Sequence, residues 1–236
     1  KIIIINDEEL SSLPFSSLID INISGNKSIE QEWLLKKYNF AYLPSIDSYF
    51  LLKNIKKRNY KTQFFGIGNP QFNGIFTQLP NTEDEIMKIS KKFDVGKSEI
   101  LLGSMANEEV VKDKKIEAEF LMFATHAVTA EEIEGIDDPA IVLSQELSSN
   151  EDGYLTSTDI INTKFVSNLL ILSACNTAKP DPSGKYFSGL MRSFLYSGSR
   201  NLLATLWGIE TFSAEELTTN FFETSSYQYA DSLKKA

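Results

Sequence analysis

The chain has 236 residues, and its 32 Asp and Glu outweigh 23 Lys and Arg to give a net charge of −9; it lacks the basic face that a phosphate backbone demands, which excludes nucleic acid as a main partner. Its 42% hydrophobic content suits a buried core, while no apolar run approaches a membrane span and the acidic residues that follow 2–5 are unlike a signal peptide. A single cysteine excludes an internal disulfide or a multi-cysteine metal site and fits a reducing, cytoplasmic compartment.

In chain order, apolar runs and amphipathic stretches predict strands over 2–5 and 40–43, a helix over 46–57, a strand over 63–67 and a helix over 83–93. A strand over 99–102, a helix over 107–115, and strands over 120–125, 140–143 and 169–173 follow. A helix over 186–197, a strand over 201–206 and a helix over 213–222 complete the series. Thr82 with Glu85 has the spacing of a capping box. Alternating strands and helices predict an α/β fold with a mostly parallel β-sheet flanked by helices on both faces. Segments 130–139, 148–153 and 179–184 read as the long loops. The whole reads as one domain, 1–236, with 1–81 as a distinct front half. It opens in a strand-like run without Met, as a piece cut from a longer chain would.

Ligands of open parallel sheets bind beyond the carboxyl ends of the strands. The chain's one His, His126, and its one Cys, Cys175, each stand just past an apolar run. If those strands are neighbours, imidazole and thiol meet at one edge, as a thiol–imidazole dyad needs. The order His then Cys, about 50 residues apart, is the caspase order. The plainer alternative is a core cysteine and a hydrogen-bonded structural histidine. Other motifs fail. Gly96-Lys-Ser98 lacks the earlier glycine of a phosphate loop, and Gly66-Ile-Gly68 lacks the third glycine of a dinucleotide fingerprint. The carboxylates of 131–138 lack calcium-loop spacing.

Phe123-Ala-Thr-His126, Leu170-Ile-Leu-Ser-Ala-Cys-Asn-Thr-Ala178 and Ser188-Gly-Leu-Met-Arg-Ser-Phe-Leu-Tyr-Ser-Gly198, followed by Leu203-Ala-Thr-Leu-Trp207, resemble the CHAT domain family, itself similar to caspases and separases. Leu13-Pro-Phe15, Gly68-Asn-Pro70, Leu79-Pro80 with Glu85, and Asp152-Gly-Tyr-Leu155 extend the resemblance over nearly the whole chain. It implies a caspase-like fold and a cysteine endopeptidase working through His126 and Cys175 on a protein or peptide substrate. It also implies a missing N-terminal region of tetratricopeptide-type repeats. No cofactor or metal is expected. The backbone N–H groups of Ala127 and Cys175 would be the oxyanion donors. Many relatives have glycine where Ala127 stands, and alanine restricts φ.

Ser173 resembles a wall of the primary specificity pocket, and strand 201–206 would deliver Trp207 and Glu210 to the cleft. Trp207 suits either a flat apolar wall or a core position. Asp152 and Glu210 are candidate contacts for a basic side chain. With no cation in these segments, a neutral or basic residue is expected before the scissile bond. The alternative function is a non-catalytic CHAT-like protein-interaction module.

Overall fold

Short runs of Ile, Leu, Phe and Val separated by polar helices give this chain many brief elements. The computed structural model describes residues 1–5, 10, 13–20, 33–56, 58–130, 132–145, 151–173, 189–205, 210–223 and 229–235. The elements are β1 (Ile2–Ile4), α1 (Leu34–Lys37), β2 (Phe40–Tyr42), α2 (Ile46–Lys53), β3 (Thr62–Gly68), α3 (Asn81–Ser90), β4 (Ser98–Leu102) and α4 (Glu108–Asp113). They continue with β5 (Ile116–Ala124), β6 (Ala127–Val128), β7 (Ala140–Val142), β8 (Tyr154–Thr156), α5 (Ser157–Asn162) and β9 (Phe165–Ser173). The last are α6 (Gly189–Ser197), β10 (Leu202–Ala204), α7 (Thr211–Glu223) and α8 (Tyr229–Lys235).

The chain divides into two compact units. One comprises 1–55, 180–186 and 220–236, the other 56–179 and 187–219. In the first, β1 and β2 pair in parallel, with Ile2 opposite Phe40. Ser45 caps α2, its hydroxyl accepting from the Ser48 N–H at 3.2 Å.

The second unit is built on a five-stranded sheet in the order β10-β9-β5-β3-β4, every pair parallel. Side chains alternate between its faces. Phe65 and Ile67 of β3, Leu121 and Phe123 of β5, and Leu170 and Leu172 of β9 enter one core with Val111 of α4, Ile160 of α5, and Leu190 and Phe194 of α6. On the opposite face lie α3 and residues 211–219 of α7. There α3 comes so close to β3 that a Cβ on Gly66 would meet Ile86 Cγ2 at 2.7 Å, and one on Gly68 would meet Ile86 Cδ1 at 3.0 Å. The two glycines of the failed dinucleotide pattern therefore serve helix–sheet packing. Gly96, with φ 76°, makes a turn, and Ser98 opens a strand where a phosphate loop would open a helix.

The α/β class with helices on both faces agrees with the sequence reading. Segment 140–143 does not join the parallel sheet. Its β7 pairs antiparallel with β6 and β8 in a separate three-stranded sheet. Strands β5 and β9 are also longer than read, since Ile116, Ala118, Phe165 and Val166 are buried ahead of the obvious apolar runs. The Thr82–Glu85 capping box does not form. Pro80 precedes α3, and Thr82 instead donates to the Leu79 carbonyl and accepts from the Asn69 N–H.

Candidate active site

Strands β5 and β9 run side by side from Ile116 opposite Phe165 to Ala124 opposite Ser173. His126 is two residues past Ala124, and Cys175 is two residues past Ser173. Both residues thus follow the last paired step at the same sequence offset. Cys175 and Trp207 lie outside the described residues.

The backbone at His126 is fixed by β7. The buried Thr125 hydroxyl donates to the Val142 carbonyl at 2.6 Å, and the Val142 N–H donates to the His126 carbonyl at 2.9 Å. The half-buried imidazole sits beside two aromatic rings, with centroids 5.3 Å from Phe72 and 5.4 Å from Phe76, the latter stacked at 30°. His126 Nε2 lies 2.8 Å from the Thr77 carbonyl oxygen. A carbonyl can only accept, so Nε2 donates, and in the neutral ring Nδ1 keeps its lone pair. That is the tautomer in which Nδ1 can take a proton.

The segment carrying Phe72, Phe76 and Thr77 is anchored from below. Gln71 N–H donates to Ser144 Oγ at 2.9 Å, Gln145 N–H donates to the Gln71 carbonyl at 3.1 Å, and Asn73 Nδ2 donates to the Gln145 carbonyl at 2.6 Å. Phe72 also joins a small apolar cluster with Val128, Ile136, Val142 and Tyr154. The imidazole therefore rests on a supported wall.

Ala127 opens β6, an edge strand opposite Ile141. Bonded pairs alternate with non-bonded ones in an antiparallel ladder. The Val142–His126 bond makes the next pair, Ala127 with Ile141, the non-bonded one, so the Ala127 N–H points away from β7. Asn69 is the non-glycine with positive φ among the described residues. Ala127 thus needs no left-handed backbone, and alanine is accommodated there.

Ser173 ends β9 and donates to Glu85 on α3, with Oγ 3.2 and 3.4 Å from the two carboxyl oxygens. Thr218 of α7 donates to Glu85 Oε1 at 2.5 Å. Glu85 is fully buried. Burial pushes its carboxyl up to about 7, against the downward pull of the Thr218 and Ser173 hydroxyls and with a further upward push from Glu215. Ser173 and Thr218 also line a cavity between β9, β10 and α7, with Leu172, Leu203, Ala204 and Leu217.

Asp152 is exposed just before β8, where Oδ1 accepts from the Tyr154 N–H at 2.8 Å. Glu210 is exposed just before α7, and its carbonyl accepts from the Ala214 N–H. Among the described residues no group of three His, Cys, Asp or Glu is placed to hold a metal ion. None of the described helices is long and apolar enough to cross a membrane.

A family model described as CHAT domain matches residues 1–235. The chain belongs to the CHAT family. It is also similar to the tetratricopeptide repeat protein 28 of Mus musculus, 21% identical over 94% of this chain, and to that of Homo sapiens, 22% identical over the same share. It spans about a tenth of the length of these curated relatives (10% of each).

The sequence reading missed Phe72, Phe76 and Thr77, which hold the imidazole from a loop without periodicity. It misplaced Glu85 as a cap, although a signal was there. Thr82, Glu85, Ile86 and Ile89 recur at helical spacing and are the buried residues of α3, which puts the carboxyl on the inward face.

Proposed function

We propose that this CHAT domain is a cysteine endopeptidase of the caspase–separase type, with His126 as general base and Cys175 as nucleophile. The observation that carries the reading is the register of β5 on β9. Ala124 faces Ser173, and the base and the thiol each follow two residues later. Equal sequence offsets from adjacent parallel strands favour a hydrogen-bonded pair. The Thr77 carbonyl supports the same reading, because it holds the imidazole in the tautomer that accepts at Nδ1.

In this mechanism His126 takes the proton of Cys175, and the thiolate attacks the scissile carbonyl carbon. The oxyanion is stabilised by the N–H groups of Ala127 and Cys175. The C–N bond then breaks as the imidazolium protonates the leaving amine. Water, deprotonated by His126, attacks the thioester, which releases the acid and restores the thiol. Ser173, Trp207, Asp152 and Glu210 are the proposed substrate contacts. The substrate is a protein or peptide, the compartment cytoplasmic, and the relatives' name points to a repeat region elsewhere in the full protein.

The test is to add full-length wild type or its Cys175→Ala variant to host lysate and identify new protein termini. Termini produced by the wild type alone are expected. Identical sets would favour the non-catalytic interaction module.

A further inference from the structure

Among the described residues Glu85 has no partner that would require a carboxylate. Among the described residues it pairs with no cation, and the charged neighbour acting on it, Glu215, has the same sign. A buried carboxyl without a counter-charge is costly. Its oxygens meet the hydroxyls of Ser173 and Thr218, two residues that with Thr205 line the cavity at the ends of β9 and β10.

The cavity is placed where a substrate side chain could use it. Strand order puts β5, and His126 after it, on one side of β9, while the cavity lies on the other side, toward β10. Ser173 is at the end of β9, two residues before Cys175. A side chain entering there would run along Leu203, Ala204 and Leu217 and end at two hydroxyls backed by a carboxyl. An aliphatic wall followed by hydroxyl oxygens with an ionisable carboxyl behind them suits a methylene stem carrying a cation.

We infer that this cavity receives the residue before the scissile bond and that Glu85 makes it select lysine or arginine. The inference rests on the peptidase reading and adds the substrate class. It also gives the buried acid a role, since the arriving cation supplies the missing opposite charge. Without substrate the carboxyl sits near neutrality because burial raises it to about 7. A cation favours the ionised form, so the advantage of cationic substrates should shrink as pH falls below that value.

The experiment uses the full-length protein and peptides that differ only before the scissile bond, carrying lysine, arginine, norleucine or aspartate. Lysine or arginine should exceed norleucine in kcat/KM by about 100-fold, the scale of a desolvated charge pair. Glu85→Gln should cut that ratio by about tenfold or more. A ratio between two substrates of one enzyme is insensitive to a general loss of folded protein. Should E85Q not fold, E85D, whose carboxylate is withdrawn by one methylene, should lower the same ratio. Cys175-dependent cleavage that prefers norleucine or aspartate, or a lysine-to-norleucine ratio untouched in the folded variant, overturns the inference and leaves the peptidase reading standing. No Cys175-dependent cleavage of any peptide or lysate protein overturns both.

Discussion

Ala124 and Ser173 face each other at the last paired step of two parallel strands, and each is followed two residues later by the chain's only histidine or only cysteine. The proposed base and nucleophile thus stand at equal sequence offsets from one paired step. On this account the two act as one unit. Cys175→Ala and His126→Ala should each lower kcat/KM by roughly 10⁴-fold or more, and the double variant should be no worse than either. Steady-state kinetics on a cleaved peptide would decide it. Additive losses would mean that the residues act separately.

The imidazole is positioned by its wall as well as its strand. Phe76 stacks on it and Thr77 holds Nε2. Phe76→Ala should therefore lower kcat by about tenfold, through loss of ring orientation, with KM little changed. The kcat-against-KM split is the measurement. A rise in KM alone would make Phe76 a substrate contact.

Close approach of α3 to β3 rules out side chains on the glycines between them. Gly66→Ala would drive a methyl against Ile86 and Phe64 at 2.7 and 2.8 Å. It should cost about 1–3 kcal/mol, as overpacking does, read from denaturant unfolding. Wild-type stability in the variant would show that α3 can shift freely.

Much of this was legible beforehand. Long apolar runs such as Leu169–Leu172 announce buried parallel strands, and the residues just past them are where the proposed site is sought. Short elements were not legible. Strand β8 has three residues, and α5, starting straight after it, was overlooked although Thr156 and Asp159 do form a capping box. Thr82 and Glu85 show the same kind of spacing without forming one. Local spacing cannot tell a solvent-facing cap from an acid turned inward, because burial by α7 is a tertiary event. Phe72 and Phe76 were invisible as site residues for a related reason, since their partner His126 is 50 or more positions away in a different strand's exit.

Glu85 also gives stability a pH dependence. Its folded carboxyl is near 7, above the ordinary 4.5. The stability that follows from this raised value is fully present below about pH 4.5 and is lost as pH rises through about 7. The swing is at most ~3 kcal/mol. Glu85→Gln should flatten the fall in melting temperature between pH 5 and 8. A slope will remain, because burial raises Glu108 to about 7 as well. An unchanged slope in E85Q would mean that Glu85 does not titrate in that range.

The central claim, that His126 activates Cys175, is tested most directly by the rate of alkylation of Cys175 with iodoacetamide as pH is varied. Free thiols react appreciably only as pH nears about 8.5. The account predicts rapid alkylation of the wild type near pH 6 and a shift of His126→Ala to the free-thiol profile. A wild-type profile that rises only near pH 8.5, or one that His126→Ala leaves unchanged, would contradict it.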